Sequence, residues 1–144
     1  MFREKLKEVF VKDVMVSPVI TIRDTDDFHM VQDKFATHGI RHLPVVEANG
    51  VLVGIITQRS LYKIHSPRRL EDGSWYYDKD LLDGFILKNV MIKDPTTLKA
   101  GSTLLEAIDA MCQFKLGSIP VVDDLRRPIG MITGGDVLKF LLVT

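Results

Sequence analysis

The chain repeats itself. Val14-Met15 recurs as Val90-Met91, 76 positions later. The same offset carries Thr21 onto Thr97, Asp33 onto Asp109, Pro44-Val45-Val46 onto Pro120-Val121-Val122, and Gly54, Ile56 and Thr57 onto Gly130, Ile132 and Thr133. With Lys12/Lys88 and Lys63/Lys139, there are 12 identities between 12–64 and 88–140 without a gap. Neighbouring pairs are similar in kind, as in Val16/Ile92, Ile22/Leu98, Ile40/Leu116, Glu47/Asp123 and Leu61/Val137. A single dipeptide match carries no weight, but an ungapped register over two whole segments defines a duplication. One copy of this size buries too little surface to be stable alone, so the two copies are expected to form one intertwined unit.

Each copy reads in the same order. A short strand comes first, at Val19–Ile22 and at Thr96–Leu98. A helix follows, over Asp27–His38 and Thr103–Phe114, with Phe28, Val31 and Phe35 at helical spacing in the first. Thr103 and Glu106 have capping-box spacing, and Gly39 suits a helix stop. Two strands come next, Leu43–Val46 and Val53–Thr57 in copy one, Ile119–Val122 and Ile129–Thr133 in copy two. Each copy closes on a helix, Arg59–Ile64 or Gly135–Leu142. The expected fold class is α/β (α+β), two β-α-β-β-α repeats packed sheet to sheet around a pseudo-twofold axis. The boundaries are an N-terminal helix over 1–10, copy one over 11–64, an inserted linker over 65–86 and copy two over 87–144.

Composition narrows the function classes. Lys plus Arg and Asp plus Glu are both 19, so the net charge is zero, which argues against a dedicated nucleic-acid binder. The longest apolar run, Val51 to Ile56, is far short of the ~20 residues a membrane helix needs. The N-terminus alternates charged and apolar residues, unlike a signal peptide, so a cytoplasmic location is expected. The single cysteine, Cys112, excludes an internal disulfide and falls on the apolar helix of copy two, where it reads as core. His38 and His42 lack a nearby acidic ligand, so no metal site is expected. The insert holds the sole Trp, Trp75, beside Tyr76 and Tyr77. It reads either as a surface linker or as a flap or partner contact whose Arg68-Arg69 reaches a phosphate.

The combination of motifs is recognisable. His42-Leu-Pro-Val-Val46 followed by Val53-Gly-Ile-Ile-Thr57 resembles the cystathionine-β-synthase (CBS) domain. Ser118-Ile-Pro-Val-Val122 followed by Ile129-Gly-Met-Ile-Thr-Gly-Gly-Asp136 resembles it again, as do the Val-Met openings. The resemblance spans nearly the whole chain except the extreme N-terminus and residues 65–85, and it implies a stand-alone tandem pair, or Bateman module. Such pairs bind adenosyl ligands (AMP, ADP, ATP or S-adenosylmethionine) between their repeats, regulate a tethered or partner protein, and form flat dimers through their helices.

Carried onto these residues, the resemblance nominates Gly130, Thr133 and Asp136, with the carboxylate accepting ribose hydroxyls and the Thr contacting phosphate. The chemistry stands on its own terms. A carboxylate accepts two donors from a vicinal diol, and Gly134-Gly135 leaves bare backbone for close approach. Thr133-x-x-Asp136 equally reads as a helix cap. Copy one reads Gly54, Thr57 and Ser60, a neutral hydroxyl where copy two has a carboxylate. Charge-assisted hydrogen bonds are about twice as strong as neutral ones, so unequal sites are expected.

The resemblance places the base pocket facing Asp136 on the other copy: Val16, Ile20, Ile40 and His42, with Leu43 behind them and Arg41-His42 against phosphates. Together with Thr133, Gly135 and Asp136 these form the expected ligand site. The weaker second site would use Ile92, Thr96, Leu116 and Ser118 with Thr57 and Ser60. Ile20, Ile40 and Leu43 equally suit plain core, and Arg41-His42 a solvated pair. Nothing resembles a catalytic triad, a Walker loop or a GxGxxG turn, so no enzyme activity and no required cofactor are expected. The wide apolar surface of Leu104 through Phe114 and of the closing helix implies a second buried face and hence a homodimer. The leading reading is a regulatory module sensing an adenosyl ligand, with no nucleic-acid or membrane partner. The alternative is a ligand-free module mediating dimerisation or partner binding.

Overall fold

The computed structural model describes residues 2–60, 68–69, 71–73, 75–76, 87 and 90–143. In chain order the described elements are α1 (Phe2–Leu6), a 3₁₀ turn at Val11–Asp13, β1 (Ile22–Arg23), α2 (Phe28–His38), β2 (His42–Val46) and β3 (Leu52–Thr57). Then come β4 (Arg68–Arg69), β5 (Trp75–Tyr76), β6 (Ile92–Lys93), α3 (Leu104–Phe114), β7 (Ser118–Val122), β8 (Pro128–Thr133) and α4 (Gly134–Leu142). The chain thus has the mixed α/β pattern of a duplicated β-α-β-β-α unit. A helical turn opens at 58–60, and the rest of the helix expected to Ile64 lies outside the described residues.

Two compact units emerge, and each takes its opening segment from elsewhere in the chain. Unit 1 comprises Met1–Ile20, Asn49–Leu52 and Pro95–Thr144, whereas unit 2 comprises Thr21–Ala48 and Val53–Asp94. The segment opening copy one therefore packs with the body of copy two, and the segment opening copy two with the body of copy one.

In unit 2 the sheet order is β1-β2-β3-β6. β1 runs parallel to β2, with Ile22 opposite Val45, and β6 runs antiparallel to β3, with Ile92 opposite Ile55. Unit 1 repeats this order with its flanks reduced to single bridges. β7 and β8 pair antiparallel, Leu98 bridges Val121 in parallel, and Val16 bridges Met131 antiparallel. The opening strands are shorter than expected at Val19–Ile22 and Thr96–Leu98. Pro18 and Pro95 stand just upstream and offer no N–H to a ladder. In the insert only the β4–β5 hairpin is described, with Arg69 opposite Trp75 and Gly73 at φ 90° in its turn.

Local chemistry sets the helix ends. Asp27 caps α2 through Oδ1, which accepts from the Met30 N–H at 2.9 Å, and Gly39 ends it in the left-handed region at φ 60°. Thr103 caps α3 by accepting from the Glu106 N–H at 3.2 Å. Of the expected box only this half forms. The apolar periodicity then fills two cores. Leu6, Val11, Leu104, Leu105, Ala107, Ile119, Val121, Ile132 and Val137 cluster in unit 1. Ile22, Phe28, Val31, Leu43, Val45, Ile56 and Leu87 are almost wholly buried in unit 2.

The opening segments are fixed at two glycines. Val16 N–H donates to the Met131 carbonyl at 2.8 Å, and Met131 N–H returns to Val16 at 3.0 Å. A Cβ on Gly130 would collide with the Met15 thioether and lie 3.0 Å from the Val16 carbonyl oxygen. In unit 2 a Cβ on Gly54 would lie 2.5 Å from Met91 Sδ and 3.0 Å from the Ile92 carbonyl oxygen. The shared Val-Met and Gly are thus one packing device used twice. Gly130→Ala and Gly54→Ala should each destabilise by about 1–3 kcal/mol, the usual cost of overpacking. Gly101→Ala, where a Cβ meets nothing within 4 Å, is the control expected to be near neutral in the same urea unfolding titration.

Candidate functional site

β8 ends at Thr133 and α4 begins at once, so the hydroxyl and the Asp136 carboxylate close a reciprocal capping box. Thr133 Oγ1 accepts from the Asp136 N–H at 3.2 Å. Asp136 Oδ2 accepts from the Thr133 N–H at 2.9 Å and from the Thr133 hydroxyl at 2.9 Å. All of this falls on one carboxylate oxygen. Oδ1 has no hydrogen-bond partner among the described residues. Capping and ligand binding, alternatives in the sequence, are compatible in the structure, because the cap holds the carboxylate still while its second oxygen stays available.

Residues around the turn are exposed. Gly135 is exposed, and a Cβ there would touch only Thr133 Oγ1 at 3.6 Å. Val16, whose backbone bridges Met131 two residues before Thr133, is 55% exposed. An exposed apolar side chain on the segment paired with β8 and bare backbone in the first turn of α4 thus belong to the same unit as the Asp136 carboxylate. Gly134 N–H donates to the Gly117 carbonyl at 3.2 Å, tying the residue before β7 to this turn.

The corresponding turn of unit 2 has the same shape and different chemistry. Ser60 Oγ lies 3.3 Å from Thr57 Oγ1 and accepts from the Thr57 N–H at 3.4 Å. Thr57 Oγ1 accepts from the Ser60 N–H at 3.3 Å. The single hydroxyl oxygen is consumed by the cap, and Ser60 is buried. Ile92, the counterpart of Val16, is 54% exposed and pairs with Ile55 on β3. Gln58 N–H donates to the Arg41 carbonyl at 2.9 Å, as Gly134 does to Gly117.

The units regroup the predicted residues. Val16, Ile20, Thr133, Gly135 and Asp136 lie in unit 1, together with Thr96, Leu116 and Ser118 from the expected weaker set. Ile40, Arg41, His42 and Leu43 lie in unit 2 with Ile92, Thr57 and Ser60. Leu43 is fully buried and belongs to the core instead of a ligand surface, and Ser118 is buried at the β7 edge. Cys112 is also corrected: it is exposed, because the core stripe of α3 runs through Leu104, Leu105 and Ala107 and leaves Cys112 outside it. Arg59 was not among the expected site residues, although the 76-residue offset sets it against Gly135 at the same point of the turn.

The pKa of His42 is displaced. Burial, and secondarily the charge of Arg41, hold it below its ordinary value of 6.5. Its Nδ1 is buried without a hydrogen-bond partner.

Known proteins resemble the chain along most of its length. The CBS domain family matches residues 11–66 and 87–143. A CBS domain-containing protein of Dictyostelium discoideum is 32% identical over 94% of this chain and 92% of its own length. A homoserine O-acetyltransferase of Methanocorpusculum labreanum is 30% identical over 89% of this chain, which spans only 23% of that enzyme. Among solved structures, a CBS domain pair in complex with 5′-methylthioadenosine and S-adenosyl-L-methionine is 26% identical, covers 92% of this chain and 99% of its own, and superposes with a TM-score of 0.75. The chain belongs to the CBS domain family, as a tandem pair of repeats. No helix among the described residues is long and apolar enough to cross a membrane.

The His42 environment has a pH consequence. In the unfolded chain the imidazole takes up a proton near its ordinary pKa, whereas in the folded chain it resists, so the unfolded state binds more protons below about pH 6.5. Stability is expected to fall as pH drops from the ordinary pKa towards the depressed one. Thermal unfolding at about pH 7.5 and about pH 5.5 checks this, with the loss smaller in His42→Gln than in wild type.

Proposed function

We propose that the chain is a regulatory module that binds an adenosyl ligand at the Thr133–Asp136 turn of unit 1. The observation that carries this reading is the divided Asp136 carboxylate. One oxygen is committed to the cap, and the other is held in place and unengaged. That second oxygen accepts the ribose hydroxyls, the bare Gly135 backbone lets the sugar approach, and Val16 and Ile20 supply apolar surface to the base. The solved relative that holds methylthioadenosine and S-adenosylmethionine supports an adenosyl compound as effector. The Thr57–Ser60 turn is the weaker site, since its hydroxyl is buried in its own cap. Ligand binding biases the packing of the module, and differential affinity for two arrangements conveys the signal to a partner protein.

A second observation favours self-association. Phe114 on α3 is exposed, as are Leu138 and Leu142 on α4, at 64% and 86% for the latter two. We take these helix faces as a homodimer interface, which a double Leu138→Glu, Leu142→Glu variant should convert to monomer in light scattering.

Asp136→Ser separates capping from binding. Ser restores the arrangement seen at Thr57–Ser60, so stability should change by less than the ~0.5–2 kcal/mol that losing a cap costs. Adenosyl binding should be lost. A ligand at about 100 times its dissociation constant raises stability by about 2.7 kcal/mol, so thermal-shift assays read the difference directly. Unchanged binding in Asp136→Ser would reject the ribose-acceptor role. No binding by wild type would favour the ligand-free interaction module.

A further inference from the structure

Each opening segment is held by a methionine whose sulfur stands where a glycine lacks a Cβ. A Cβ on Gly130 would collide with the Met15 thioether, and one on Gly54 with the Met91 thioether. Met15 and Met91 are counterparts in the 76-residue offset, as are Gly54 and Gly130, so the contact is made once in each unit. A carbonyl oxygen stands beside each sulfur: the same two Cβ positions lie 3.0 Å from the Val16 and Ile92 oxygens. The amides of the unit 1 bridge are already engaged, Val16 N–H with the Met131 carbonyl at 2.8 Å and Met131 N–H with the Val16 carbonyl at 3.0 Å. Met15 and Met91 are only half-buried, whereas Met131 is buried and Met30 is exposed on α2.

We propose that Met15 and Met91 are redox-sensitive latches: a hydroperoxide converts their thioethers to sulfoxides and frees the opening segments, and a thiol-dependent reductase closes the latches again. In the forward step the sulfur takes one oxygen atom from the hydroperoxide, the O–O bond breaks, an S–O bond forms, and water or an alcohol leaves. The sulfur gives up the two electrons that the peroxide gains. In the reverse step two thiols become a disulfide and the oxygen departs as water. The added oxygen is a strong acceptor on a side chain that was apolar. Turned towards the glycine, it faces a backbone carbonyl oxygen, acceptor against acceptor, beside amides that have no proton to spare. Turned out to water, the side chain leaves the space beside the glycine empty and forfeits its contacts with the strand. Either way the segment loses what seats it against β8 or β3. No ligand enters this step, so it holds or fails independently of adenosyl binding.

The test treats the full chain with hydrogen peroxide in a Cys112→Ser background, which removes the exposed thiol as a competing target. Peptide mass mapping locates the sulfoxides, and hydrogen exchange follows the amides of the paired residues Val16 and Met131, and Ile92 and Ile55. Oxidation of Met15 and Met91 should speed exchange at these amides at least about tenfold and lower the melting temperature by several degrees. Methionine sulfoxide reductase with dithiothreitol should restore both. Met15→Leu with Met91→Leu nearly conserves volume and should keep the fold while abolishing the response. Met30→Leu with Met111→Leu leaves both latches in place and should respond as the parent does. Met15 and Met91 unoxidised after Met30 has reacted fully would overturn the latch, as would their oxidation with exchange unchanged. So would a response that persists in Met15→Leu, Met91→Leu, that vanishes in Met30→Leu, Met111→Leu, or that outlasts reduction of the sulfoxides.

Discussion

The antiparallel bridge between Val16 and Met131, seated over the bare Cα of Gly130, is the contact on which unit 1 depends. It anchors a segment that precedes the unit's other strands in sequence by most of the chain. It also sets the edge of β8, and β8 delivers Thr133 to the start of α4. A backbone pair of hydrogen bonds can approach this closely only where no Cβ intervenes. Met15 then fills the space beside the glycine with a flexible, polarisable side chain. The same construction at Gly54, Met91 and Ile92 supports Thr57 in unit 2. Position, and not charge, is what this contact provides, and the two copies share it fully.

Charge is what they do not share. A hydroxyl and a carboxylate both close the turn, the carboxylate more tightly, accepting from the Thr133 N–H at 2.9 Å where the Ser60 hydroxyl accepts from the Thr57 N–H at 3.4 Å. The carboxylate has an oxygen in excess of what the cap requires, and the hydroxyl does not. Replacing one residue type therefore changes the charge of the turn without changing which backbone group it caps. The helix start adds to the effect in both units, because its unpaired N–H groups favour negative partial charge.

Much of this fold is legible in the sequence because it rests on period and punctuation. The spacing of Phe28, Val31 and Phe35 marks the buried face of α2, Asp27 and Gly39 mark its ends, and the two apolar runs of each copy mark the central strands. The Thr133–Asp136 turn is legible as well, though spacing alone leaves cap and ligand site as rivals. In the structure every cap bond to the carboxylate falls on one oxygen, so the two readings are compatible. The exchange of opening segments is not legible. Val14-Met15 looks identical whether it packs on its own copy or on the other, since an offset reports similarity and carries no information about contact. Cys112 fails for a related reason. α3 is apolar over more than its core face, so period alone does not say which apolar residues are inside.

A duplication that trades opening segments keeps its two halves under the same steric demand while leaving their surfaces independent. Val14, Met15, Gly54 and Thr57 each meet their counterparts unchanged, and each is placed where backbone approach or a helix cap leaves little choice. Arg41, His42, Arg59 and Ser60 meet Gly117, Ser118, Gly135 and Asp136, and of these only the Ser60 and Asp136 side chains share a task, closing the cap, while the Arg41 and Gly117 carbonyls accept equivalent backbone hydrogen bonds. Identity at the first set of positions therefore follows geometric necessity, and difference at the second changes the charge beside and within the turn. On that division the internal repeat is itself a comparison of two turns built on one frame, and the residues that tell the turns apart are those whose charge the frame does not require.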